Sequence, residues 1–136
     1  MRIVYAFIAD MAQVRPDQKI DVIGGGIDSL FVPAVPNIHP ILTIVIQIEI
    51  LASECGHPHQ LEVLFWDADG NRLNPYINAT FSAERNPLDP TAPSNLPVAV
   101  MLTQLQIPRM GDFSFRILID ARELATLPLR VRPRPV

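Results

Sequence analysis

The sequence predicts an all-β fold, a single-domain antiparallel β-sandwich of about eight strands, immunoglobulin-like or jelly-roll-like in architecture. Three observations carry this. Residues Ile41–Leu51, ILTIVIQIEIL, form an almost unbroken row of β-formers. Leu42, Ile44, Ile46, Ile48 and Ile50 share one face at period 2, which only an extended strand can use. Fourteen prolines against six glycines interrupt helices and inner strands alike, so the elements must be short and joined by stiff loops. Finally, no stretch of ten or more residues repeats its apolar positions every 3.6 residues.

The chain of 136 residues, 49% hydrophobic and 18% charged, is long enough to bury a core without disulfide staples. One sandwich domain is expected over 1–131. A short basic Pro-rich tail follows at 132–136, where Arg132 and Arg134 alternate with Pro133 and Pro135.

The first strand is expected at Arg2–Ala9, with Ile3, Tyr5 and Phe7 on one face and Val4, Ala6 and Ile8 on the other. A polar loop, Gln13–Gln18, leads to a strand from Lys19 that meets Gly24-Gly25-Gly26 and resumes over Ile27–Val32. A glycine triplet inside a strand marks a bulge or bend where a sheet turns a corner. Pro33, Pro36 and Pro40 stiffen the connection to the long central strand.

Gln60–Trp66 is the fourth strand, closed by Asp67-Ala68-Asp69-Gly70-Asn71, whose Asp-Gly pair suits a tight hairpin. Tyr76–Ala83 returns. Glu84–Pro97, with four prolines, is the longest irregular stretch. Val98–Ile107 is the sixth strand, and Pro108–Gly111 turns into Asp112–Ile119, with Phe113, Phe115, Ile117 and Ile119 inward. After Asp120–Glu123 the last strand, Leu124–Val131, carries Pro128. Proline cannot donate to a ladder on both sides, which places this strand at a sheet edge.

Two stretches resemble a known family. Phe7-Ile8-Ala9-Asp10 with Lys19-Ile20-Asp21-Val22-Ile23-Gly24-Gly25-Gly26 is similar to the opening of a bacterial family of small proteins described only as a domain of unknown function. Gly111-Asp112-Phe113-Ser114-Phe115-Arg116-Ile117-Leu118-Ile119-Asp120, then Leu127-Pro128-Leu129-Arg130-Val131, resembles its closing hairpin, and the His59–Gly70 strand and turn also fit. The resemblance spans nearly the whole chain, implies a soluble sandwich-like domain, and transfers no functional residue. The Pro-rich Glu84–Pro97 loop departs from the family pattern.

Net charge −3 supplies no electrostatic footprint for nucleic acid, so no nucleic-acid partner is expected. No apolar run approaches the roughly 20 residues that span a bilayer, so no membrane partner is expected. A single cysteine excludes an internal disulfide and suits a reducing compartment. Met1 leads straight into Arg2-Ile3-Val4-Tyr5 without the pattern of a secretory signal, so a cytoplasmic location is expected. Asn78-Ala79-Thr80 then matches the glycosylation sequon only as strand sequence.

Cys55-Gly56-His57-Pro58-His59 is the one cluster with metal-ligand chemistry, since thiolate and imidazole are good zinc or copper donors. A stable site needs three or four ligands, and His39 lies at the far end of the central strand, roughly 30 Å away at about 3.3 Å per residue. Glu54 or Glu84 would have to complete it. Cys55, His57 and His59 are therefore expected to form an ordinary polar loop, with no metal and no cofactor.

Asp67–Asn71 resembles the start of a calcium loop, but position twelve is Asn78 rather than a bidentate Glu. The glycine triplet lacks both dinucleotide-fingerprint spacing and a P-loop Lys. Ser53, Cys55 and His57 share a loop without a nucleophile elbow, and acids such as Asp10, Asp17, Glu84 and Asp120 pair only by chance. No catalytic constellation stands out, so the chain is not expected to be an enzyme.

Strand alternation should gather Asp10–Gln18, Ala52–His59, Glu84–Pro97 and Asp120–Glu123 at one end, with Arg15, Arg85 and Arg122. The other face of the central strand starts apolar with Ile41, Thr43 and Val45, where a lone two-layer sandwich normally faces water. The expected function is a non-enzymatic binding or assembly module, a homo-oligomer or protein-complex component. Ile41, Thr43 and Val45 are its interface candidates. A ligand- or metal-binding module at the Cys55–His59 loop end is the alternative, and an enzyme with an unfamiliar site a further one.

Overall fold

The glycine triplet is where the chain changes sheets. The computed structural model describes residues 1–135 and contains nine strands rather than eight. They are β1 (Arg2–Val14), β2 (Ile20–Gly25), β3 (Ser29–Val32), β4 (Asn37–Ile50), β5 (His59–Asp67), β6 (Arg72–Phe81), β7 (Ser94–Ile107), β8 (Gly111–Ile119) and β9 (Arg122–Pro133). The expected second strand is two, because Gly24 and Gly26 take positive φ (63° and 86°), a region that L side chains disfavour. β2 ends in one sheet, and β3 opens in the other.

The four-stranded sheet runs β2-β1-β4-β7 and the five-stranded sheet β3-β9-β8-β5-β6. All pairings are antiparallel except β3 with β9, which is parallel. Between the sheets lie Leu42, Ile44, Ile46, Ile48 and Ile50, all fully buried, facing Phe65, Phe115, Ile117 and Leu129. Phe65 stacks on Phe115 at 4.6 Å and on Phe113 at 5.4 Å between centroids. Each large side chain buried this way stabilises by about 1.5–3 kcal/mol, and the whole inward row expected from the sequence is core.

Several boundaries differ from the sequence expectation. β1 runs on to Val14, which shortens the polar loop to a turn at 15–19, and β4 begins at Asn37 with Pro40 inside it. The pairing of β4 with β7 skips Pro40, which has no N–H, opposite Gln104, whose φ is 56°. A bulge between Ile3 and Tyr5 shifts β1 by one residue. Ile3 therefore faces the core with Ala6 and Ile8, while Tyr5 and Phe7 face outward.

β9 is not an edge strand. Arg130 and Val131 lie between β8 and β3, Arg132 and Pro133 pair with β3 alone, and Pro128 pairs with Ser114 on β8 alone. Pro128 thus sits where only one neighbour needs its backbone, which satisfies the proline rule locally. The tail expected from 132 is also shorter. Phe31 pairs with Arg132 and Val32 with Pro133, the Arg134 N–H donates to the Val32 carbonyl, and the Arg132 guanidinium bonds Asp112 at 2.7 Å. Val136 lies outside the described residues.

The segments 51–58, 82–93 and 120–121 meet at one end, as expected: the Gly56 N–H donates to Ala83 and the Asp120 N–H to Gln60. The Asp10–Gln18 segment lies at the opposite end, because β1 runs antiparallel to β4 with Arg2 beside Glu49. Arg15 therefore leaves the expected loop cluster and pairs with Asp17 instead.

Candidate interaction surface

The outer face of the four-stranded sheet is built from the odd-numbered residues of β1 from Tyr5 on, of β4 from Ile41 to Glu49 and of β7 up to Thr103, with the matching row of β2. Register places Val45 between Phe7 and Ala99, Thr43 between Ala9 and Met101, and Met11 opposite Ile23. Small residues form the floor and long apolar ones rise around it. Ala9, Thr43 and Val45 are fully buried within the single chain, while Tyr5, Met11, Ile23 and Met101 are 42%, 47%, 67% and 51% exposed. Tyr5 stacks on Phe7 at 5.9 Å. Met11, Ile23 and Met101 line a shallow groove with Gln13 and Asp21.

Of the three interface candidates named from the sequence, only Ile41 is exposed. Thr43 and Val45 point outward, yet their neighbours' side chains cover them. The alternation of β4 shows the apolar face; apart from Ile41, the residues that present it to solvent lie on β1, β2 and β7. The apolar alternation Tyr5, Phe7, Ala9, Met11 is the available signal, and an expected end of β1 at Ala9 hides it. The Thr43 Oγ1, wholly enclosed, has no hydrogen-bond partner among the described residues.

The outer face of the five-stranded sheet is different. The Arg116 guanidinium lies 4.7 Å from the Trp66 ring centroid and Arg72 lies 4.3 Å from that of Tyr76, whose hydroxyl donates to Glu62. Cations lie over Trp66 and Tyr76, while Tyr76 and Phe31, on the two edge strands of this sheet, stay 41% and 55% exposed. The charges flanking the four-stranded face pair among themselves, Arg2 with Glu49 at one end and Arg15 with Asp17 and Asp21 at the other. That face keeps an apolar centre between ion-paired ends.

Cys55, His57 and His59 do not converge. Cys55 is buried with its Sγ 3.5 Å from the Leu51 carbonyl, and His57 is exposed. His59 is held from both sides: Nδ1 is 2.7 Å from Asp120 Oδ2 and Nε2 is 2.8 Å from the Glu54 carbonyl. Both partners accept, so both ring nitrogens donate. The Glu54 carbonyl first, then Asp120, raise the His59 pKa against the opposing effect of burial. A ring so engaged has no free nitrogen for a metal or for general-base work.

Glu54 also holds the Met1 ammonium at 2.9 Å. Burial pushes the Glu54 carboxyl up, but hydrogen bonds from Met1 and the Leu51 N–H outweigh it and leave it below its ordinary value. His39, at the far end of β4, lines a separate groove with Phe31 and Arg134. No group of three or more His, Cys, Asp or Glu side chains with metal-holding geometry occurs among the described residues.

The Asp67 carboxylate is buried and accepts from the N–H groups of Asn71 (2.8 Å) and Asp69 (3.0 Å), from the Asn71 side chain and from Arg109. These donors, the Asn71 N–H foremost, hold it below the usual carboxylate range. Its oxygens are committed to the hairpin turn, as the Asp-Gly reading expected.

Fold and surface define a two-sheet β-sandwich with one uncovered apolar face. A family model described as a family of unknown function, DUF6941, matches residues 4–132, and the chain belongs to that family. No curated protein matches it. No helix among the described residues is long and apolar enough to cross a membrane.

Proposed function

We propose that this protein is a non-enzymatic assembly module in which a second copy of the chain covers the outer face of the four-stranded sheet. The observation that carries this is the exposure of Tyr5, Met11, Ile23, Ile41 and Met101 on one face. Soluble monomers rarely leave such contiguous apolar surface bare. The ion pairs at both ends leave little free charge to oppose an identical face, which favours a self-partner. The resemblance to a bacterial family and the lone thiol support a bacterial, cytoplasmic setting.

Light scattering on the purified chain tests the reading. The wild type should exceed the 15.1 kDa of one chain. Ile23→Lys should lower that mass while leaving the fold intact, since Ile23 is two-thirds exposed on an edge strand. A wild type that stays monomeric at every concentration, or an assembly indifferent to charge at Ile23 and Met11, refutes it.

A further inference from the structure

The two sheets expose four edge strands, β2, β7, β3 and β6. Three of them are blunted. β3 has four residues, β2 is short with Asp21 and two glycines, and β6 carries Arg72 and Pro75 beside a bulge in its pairing with β5. β7 is fourteen residues long, SNLPVAVMLTQLQI, and contains no charged residue. A long, uncharged edge offers a row of unpaired backbone groups to another strand.

Pro97 tells which backbone groups those are. It pairs in register with Gln47 inside a continuous ladder, so the nitrogen without a hydrogen must face away from β4. Backbone direction alternates with every residue, so the N–H and C=O groups of Ala99, Met101 and Thr103 face the open edge as well. The side chains of these three lie on the outer face. The regular row ends at Gln104, whose φ of 56° breaks the strand geometry.

We propose that β7 joins two copies of this chain edge to edge, antiparallel about a two-fold axis at Met101. Ala99 then faces Thr103 of the partner subunit, and the four-stranded sheets fuse into one of eight strands, β2-β1-β4-β7-β7-β4-β1-β2. Each copy supplies the same row, so the contact closes on itself. The inference rests on the reading that the chain self-assembles, but it uses a different row of atoms from the face contact. Together the two contacts make a four-chain assembly of two eight-stranded sheets packed face to face.

Light scattering across a concentration series, on the wild type, Ala99→Pro, Ile23→Lys and the double variant, separates the two contacts. Ala99→Pro removes an edge donor without touching the β4 ladder, and should weaken the edge contact by about tenfold or more. The expected masses are four chains for the wild type, two for each single variant and one for the double variant. A wild-type dimer lost in Ala99→Pro but kept in Ile23→Lys supports the edge and overturns the face reading. A dimer kept in Ala99→Pro and lost in Ile23→Lys overturns the edge and leaves the face. A wild type monomeric throughout overturns both. Should Ala99→Pro fail to fold, wild-type amide exchange decides: protection of Ala99, Met101 and Thr103 that rises with protein concentration supports the edge, and protection independent of concentration overturns it.

Discussion

The imidazole of His59 and the carboxylate of Asp120, sixty-one residues apart in sequence, lie 2.7 Å from one another where the loops 51–58 and 120–121 meet. Asp120 also accepts from the Gln60 N–H through its other oxygen. The Gln60 N–H first, and His59 second, keep the Asp120 pKa below its ordinary value. One ion pair thus ties the start of β5 to the end of β8, and gives stability a pH dependence.

The His59 pKa is raised on folding, so its contribution is full below the unfolded value of about 6.5 and is lost as pH rises through the higher folded value. The Asp120 pKa is lowered, so its contribution is present above an unfolded value of about 3.9 and is lost as pH falls through the lower folded one. The pair supports the fold most between about pH 4 and pH 6.5. Urea midpoints should therefore drop as pH rises above about 6.5, and His59→Gln should flatten that drop. An unchanged slope in the variant assigns the pH dependence elsewhere.

Ile46 is fully buried at the centre of β4. Ile46→Ala should cost about 2–5 kcal/mol, transfer and cavity together, read as a lower denaturation midpoint with unchanged m.

Charge on the outer face should act differently at its floor and at its rim. Val45→Lys places an ammonium at a fully buried position, and should destabilise the fold by about 3 kcal/mol or more. Met11→Lys, at a half-exposed position, should change stability by less than about 0.5 kcal/mol while lowering the assembled mass. Thermal melts paired with light scattering distinguish the two effects.

Thr43→Val removes the enclosed hydroxyl that finds no partner and keeps the shape of the side chain. An orphaned buried donor carries a desolvation cost of about 1–3 kcal/mol, so the variant should gain about 1 kcal/mol in chemical denaturation. A loss of stability would mean that the hydroxyl is satisfied in solution.

The β8–β9 hairpin turns through Asp120 and Ala121, both at positive φ (51° and 65°). Such a two-residue turn prefers glycine at its second position. Ala121→Gly should therefore raise stability by about 0.5–1 kcal/mol, since relief of the left-handed strain exceeds the added freedom of the unfolded chain. A calorimetric melt compares the two.

Short-range patterns determined the layers of this protein. Period-2 alternation in Leu42–Ile50 and Phe113–Ile119 selects strands and names their buried face, because successive side chains in an extended chain must point to opposite sides. The Asp-Gly turn and the glycine corner follow from local backbone sterics in the same way. Only the tertiary structure decided the rest. The bulge after Ile3 turns Tyr5 and Phe7 outward, since one extra residue in a ladder inverts everything beyond it. The pairing of β3 with β9 takes that strand off the edge and orders Arg132 and Pro133. The apolar face itself is assembled from Met11, Ile23 and Met101, brought together by strand order rather than by sequence spacing. His59 meets Asp120 for the same reason: non-local pairings depend on which strands lie side by side, and that choice is made by packing the whole core rather than by any one segment.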